Sequence, residues 1–185
     1  MKLKTNDLIT DLLARTLQVV ADAVKLGERS LSKLEQRSGP NEWNALECIQ
    51  HLNLYGNYYL PEIQKALLSK KHLPEPVFKS GILGDYFAKM MLPGERAKKI
   101  KTFRDKDPLG EKLDAGVIEQ FIWQQQKLMK QLERSSSVSL NKTRIPLSFG
   151  KYIKLRLGDI FRIVIYHNQR HMLQAKNAVE MESVR

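Results

Sequence analysis

"DIFRIVIYHNQRHMLQ", residues 159–174, is the stretch whose reading decides the fold. Ile160, Val164, His167, His171 and Gln174 recur at helical spacing and share one face. The run "IFRIVIY" before the histidines is almost wholly apolar, which places this helix against a core. The pattern predicts a helix from about Lys154 to Met181. It also puts two of the chain's four histidines one turn apart. Residues four apart on a helix have Cβ atoms roughly 5–6 Å apart. That suits two imidazoles converging on one cation through metal–nitrogen bonds of about 2.0–2.1 Å. Two ligands rarely hold a metal, and an isolated pair reads more often as a chance spacing or hydrogen-bonded packing than as a metal site. The choice depends on a third partner from a facing helix.

Three further segments carry helical periodicity. Leu8, Leu12, Thr16, Val19, Ala23 and Leu26 mark a first helix over 5–27, which Thr5 or Asn6 can cap. A second begins near Asn44. Asn44 and Glu47 have the spacing of a capping box, in which each side chain satisfies a free backbone N–H of the other residue. Ala45, Cys48, Leu52, Tyr55 and Tyr59 follow on one face, and "EIQKALL" resumes the pattern after Pro61, so the proline should kink this helix rather than end it. The third covers 113–134, with Val117, Ile118, Phe121, Gln125, Leu128, Met129 and Leu132. Residues 69–112 and "SSSVSLNKTRIPLSFG" read as two long connections, the first with a short helix in "ILGDYFAKMML". No extended alternating pattern indicates a strand. The expectation is one all-α domain over 1–185, a four-helix bundle with two long connections that is not simply up-down-up-down.

His51 is the natural third partner. It lies in the second helix beside the apolar stripe of Cys48, Leu52 and Tyr55. His72 falls among lysines in the first connection, where cation repulsion opposes metal binding, and is set aside. Cys48, one turn before His51, reads as a buried inert thiol rather than a fourth ligand. Trp43 and Glu47 read as an anchor and a cap. Gln125 stands where the third helix should present an aliphatic residue. Gln125, Gln174 and Tyr55 are therefore candidates to orient a ligand or touch a substrate.

The net charge is +11 in 185 residues. Much of it lies at 70–106, in Lys70, Lys71, Lys79, Lys89, Arg96, Lys98, Lys99, Lys101, Arg104 and Lys106. This reads as a solvated connection, with a patch for an anionic small molecule as the alternative. No helix-turn-helix, zinc-finger or aromatic RNA-binding signature points to nucleic acid. No apolar run approaches the roughly 20 residues of a membrane span, and the N-terminus lacks the apolar centre of a secretory signal. With one cysteine there is no intrachain disulfide, and the expectation is a cytoplasmic protein.

Two blocks, "EWNALECIQHL" at 42–52 and "DIFRIVIYHNQRHMLQ" at 159–174, resemble the DinB-like superfamily of YfiT-like metal-dependent hydrolases. Trp43, Glu47 and His51 match its tryptophan, glutamate and histidine at successive four-residue steps. His167, His171 and Gln174 match its late HxxxH pair with a following glutamine. The resemblance implies a four-helix bundle in which His51, His167 and His171 hold a divalent metal, zinc or nickel, with water in the remaining positions. It also implies kinship with bacillithiol-type S-transferases, in which the metal activates a low-molecular-weight thiol, and pairing into homodimers. Many relatives have glutamate directly after the first histidine of the pair. Here it is Asn168, so the site is not HExxH and a hydrolase would need its base from elsewhere.

Three neutral imidazoles with open positions have the form of a catalytic metal site. A cation there draws protons off a bound water and, more readily, off a bound thiol. The expected function is a metal-dependent transferase acting with a small thiol. The alternatives are a metal-dependent hydrolase and a metal-binding protein without turnover. Metal affinity is expected to fall as the pH drops through about 6.5, where free imidazole takes up a proton.

Overall fold

The computed structural model describes residues 1–69, 71–94 and 102–180, apart from the Lys151 side chain. Four long helices form the body: α1 (Thr5–Gly27), α3 (Ala45–Ser69), α5 (Gly116–Arg134) and α6 (Leu157–Glu180). α2 (Leu31–Leu34) and α4 (Ile82–Met91) are short. α1 and α3 each pack against both α5 and α6, so the order around the bundle is α1, α5, α3, α6. This is the helical bundle expected, and α3 and α6, which carry the histidines, are neighbours.

Residues 157–166 of α6 are buried nearly all round because the helix is covered on several sides, by α1, α3 and α4. Leu157, Ile160, Phe161 and Ile165 are buried, together with Leu8 and Leu12 of α1, Ile63 of α3 and Leu128 and Leu132 of α5. Each such side chain contributes about 1.5–3 kcal/mol of burial. The charge within the run, Arg162, is also buried. It is neutralised by Asp159 at 3.3 Å and Asp85 of α4 at 2.9 Å, and its Nη1 donates to Ser80 Oγ. That network clamps α4 onto α6 close to the cleft described below.

The connections are more ordered than their sequence suggests. β1 (Lys2–Lys4) pairs antiparallel with β2 (Val77–Lys79), and β3 (Arg144–Leu147) pairs with β4 (Gly150–Arg156). β1, β2 and β3, of three or four residues, are too short for alternation to stand out, while β4 has seven. β4 takes the residues expected to begin the last helix, so α6 starts at Leu157 rather than Lys154. Gly158 opens α6 against β2: a Cβ there would run into the Phe78 ring. The cap expected from Thr5 or Asn6 is absent, because β1 leads straight into α1 and Thr5 Oγ1 donates instead to the Glu75 carbonyl at 2.6 Å. α3 runs through Pro61 to Ser69.

Candidate metal centre

The site begins with the cap of α3. The Asn44 N–H donates to Glu47 Oε2 at 2.9 Å, and the Glu47 N–H donates to Asn44 Oδ1 at 2.8 Å, which is the capping box expected. Glu47 does more than cap. Its carboxylate is fully buried and also receives Arg37, at 2.5 and 2.7 Å, and the Gly110 N–H at 2.6 Å. Gly110 has φ +81°, a left-handed conformation that glycine adopts without penalty. Glu47 thereby ties the segment around 104–110 to the start of α3, and that segment completes the site. The Lys106 carbonyl lies 2.7 Å from His51 Nδ1. Asp107 Oδ1 accepts the Trp43 indole N–H at 3.0 Å.

His51 faces His167 and His171 across the α3–α6 boundary. One nitrogen from each ring lies within 4.8 Å of the others. His51 Nε2 and His167 Nε2 are 3.2 Å apart. Bonds of about 2.0–2.1 Å at roughly 90–110° place neighbouring donors roughly 2.9–3.4 Å apart, so this spacing fits two ligands of one cation. The tautomers fit as well. His51 Nδ1–H donates to the Lys106 carbonyl and His171 Nδ1–H donates to Gln174 Oε1 at 2.8 Å, which leaves both Nε2 lone pairs bare. Burial holds His51 down to about 4, opposed by its bond to Lys106. Burial, and then the neighbouring His51, hold His171 down to about 3. His167 is lowered well below the ordinary histidine value by the same burial and by both partners. All three are neutral at pH 7, the form that ligates. The triad is therefore able to bind a metal ion.

The other candidates fall at different distances from it. Gln174 orients His171 directly. Tyr55 meets His51 and His167 edge-on, with centroids 5.0 and 4.9 Å away. Gln125 does not reach the histidines: its Oε1 accepts Asn168 Nδ2 at 2.8 Å, so it acts on the residue after His167. Cys48 is fully buried, with its thiol pushed up by burial, and stands outside the triad. His72 is exposed. Trp43, read from sequence as an anchor, lies over the site, with ring centroids 4.6 Å from His51 and 5.6 Å from His171.

A cleft of about 610 Å³ opens onto the triad. Trp43, Asp107 and Gln174 line its polar end, and Phe87, Phe103 and Phe149 its apolar end. Among the described residues the cation lining it is Arg170. Arg104 is exposed and does not line it, and Lys70, Arg96, Lys98, Lys99 and Lys101 lie outside the described residues. Sequence reasoning missed the Lys106 carbonyl, Asp107, Arg170 and the phenylalanines. Arg170 alone carried a signal, one turn before Gln174 on the histidine helix.

The family model of the DinB superfamily matches residues 9–175, from α1 to α6. The chain belongs to the DinB superfamily. His51, His167 and His171 all fall inside the match. No curated protein and no solved structure is significantly similar to it. Among the described residues no helix is long and apolar enough to cross a membrane.

Proposed function

We propose that His51, His167 and His171 hold one divalent cation, zinc or nickel, and that the protein is a metal-dependent transferase acting with a low-molecular-weight thiol. The observation that carries this reading is three neutral imidazoles converging at the floor of an open cleft. A cation bound there supplies Lewis acidity, lowering the pKa of a thiol or water that reaches it. The chain's own residues set the geometry. Lys106 and Gln174 fix two imidazole tautomers, Trp43 covers His51 and His171, and the aromatic side chains give the cleft an apolar wall. Thiol activation asks for no separate base, and Asn168, tied to Gln125, supplies none.

A second reading, a hydrolase, is favoured by Asp107, a carboxylate that lines the cleft beside Trp43. It would act as base towards a water. The experiment is metal analysis of protein purified without a nickel column, followed by a panel of small thiols and alkylating or epoxide electrophiles. The transferase reading expects conjugation that disappears with chelation. Hydrolysis of esters or amides that depends on both metal and Asp107, without conjugation, would replace it.

A further inference from the structure

We infer that the molecule brought to the triad carries a planar apolar group, an aromatic or conjugated ring seated against Phe87, Phe103 and Phe149; this rests on the reading of the cleft as the substrate site of the histidine centre. The three phenylalanines come from different parts of the chain. Phe87 lies on α4, Phe103 precedes the short turn of helix at Arg104–Lys106, and Phe149 sits at the turn between β3 and β4. Phe103 and Phe149 stack with centroids 5.2 Å apart and planes 16° from parallel. Phe149 meets Phe87 edge-on at 6.0 Å and 74°. These are the geometries that aromatic rings prefer with one another.

The rings are costly where they stand. Phe103 is 48% and Phe149 47% exposed, although burying such side chains is favourable. A contiguous exposed apolar surface at the mouth of a cleft marks a place where something binds. Met90, Met91 and Leu147 continue the wall inward, and methionine adapts well to ring edges. Asp107, Gln174 and the Trp43 indole gather around the triad, while Arg170 donates to the Met90 carbonyl beside this wall. Its volume of about 610 Å³ falls in the usual small-molecule range of roughly 300–1,000 Å³. Arg170 is offset by Glu42 and Asp107 among the lining residues, which does not favour a polyanion.

The test uses the uncharged fluorophore prodan with the full-length protein. Saturable binding with a blue shift is expected, displaced by naphthalene and at least several-fold less well by decalin, its saturated counterpart. Phe103→Ala and Phe149→Ala should each weaken binding roughly 10-fold, the size of a good ring–ring contact with its area. Phe103→Leu and Phe149→Leu keep apolar bulk at exposed positions, and should weaken it while leaving the fold intact by circular dichroism. His51→Ala/His167→Ala should lose metal and keep prodan, so failure of the metal reading and failure of this one are separate results. No saturable binding, indifference to all the phenylalanine changes, or equal displacement by decalin would overturn the inference.

Discussion

His51 and His167 bring their Nε2 atoms within 3.2 Å of each other although 116 residues separate them in the chain. The contact lies on the packing interface of α3 and α6. Between neutral rings it holds one weak hydrogen bond, and around a cation it is one edge of a coordination shell. Each histidine is therefore expected to matter more for metal than for the fold. His51→Ala, His167→Ala and His171→Ala should each lower metal affinity by more than the roughly 10–100-fold typical of losing an outer partner. His72→Ala should change nothing, since that side chain is exposed. Calorimetric titration with zinc and nickel measures this. Full metal stoichiometry in the triple alanine variant would place the site elsewhere.

Gln174 holds His171 from behind through the 2.8 Å bond to Nδ1. Gln174→Leu removes that acceptor at similar bulk and leaves the His171 ring free to rotate or change tautomer. A fall of about 10–100-fold in metal affinity is expected, with little change in melting temperature because the side chain is only half-buried. Gln125→Leu is the contrast. It strands the Asn168 amide in the core and should lower stability by about 1–3 kcal/mol, with a smaller effect on metal.

What was legible in the sequence follows from which signals are local. Periodicity exposed the four long helices, and the HxxxH pair declared itself because residues four apart share a helix face. The pairing of His51 with that couple needed one further step, its place beside Cys48 and Leu52. The Lys106 carbonyl and Asp107 reach the site through an irregular segment whose position depends on Gly110 and on Glu47, a residue whose capping role concealed its second one. Backbone groups leave no residue-type signal, and the short strands were too brief to show alternation. Of the basic stretch, Arg104 is exposed and does not line the cleft, and among the described residues the lining cation comes from α6.

Glu47 is the hinge between cap and site, and its removal should be felt in stability. Arg37→Ala leaves a fully buried carboxylate with the Asn44 and Gly110 amides as its partners among the described residues. The expected loss is about 2–3 kcal/mol, below the roughly 3–5 kcal/mol for breaking a wholly buried pair, because Arg37 is itself partly exposed. That corresponds to a fall of roughly 5–10 °C in melting temperature for a chain of this size. Lys142→Ala breaks the exposed pair with Glu75 and should cost no more than about 1 kcal/mol. Equal effects of the two changes would mean that Glu47 is not the tie described.

The pH dependence of the triad departs from that of free histidine. Burial lowers His51 to about 4 and His171 to about 3, and burial with both partner histidines holds His167 well below the ordinary histidine value. Two consequences follow with opposite signs. Protons compete poorly with the metal in the folded protein, so affinity should hold steady from pH 7 to about 5 and fall only towards pH 4, not through 6.5 as expected for an unperturbed imidazole. The unfolded chain, however, takes up protons near pH 6.5 that the folded triad refuses. The stability of the metal-free protein from this source is present above about 6.5 and is lost as the pH falls towards 4. Melting temperature with and without zinc, measured from pH 7.5 to 4.5, reads both effects. The metal-free curve should fall steadily below 6.5, and the stabilisation by zinc should persist to about pH 5. A zinc effect that vanishes at pH 6.5 would show that the histidines titrate as exposed side chains and that the triad is not buried as described.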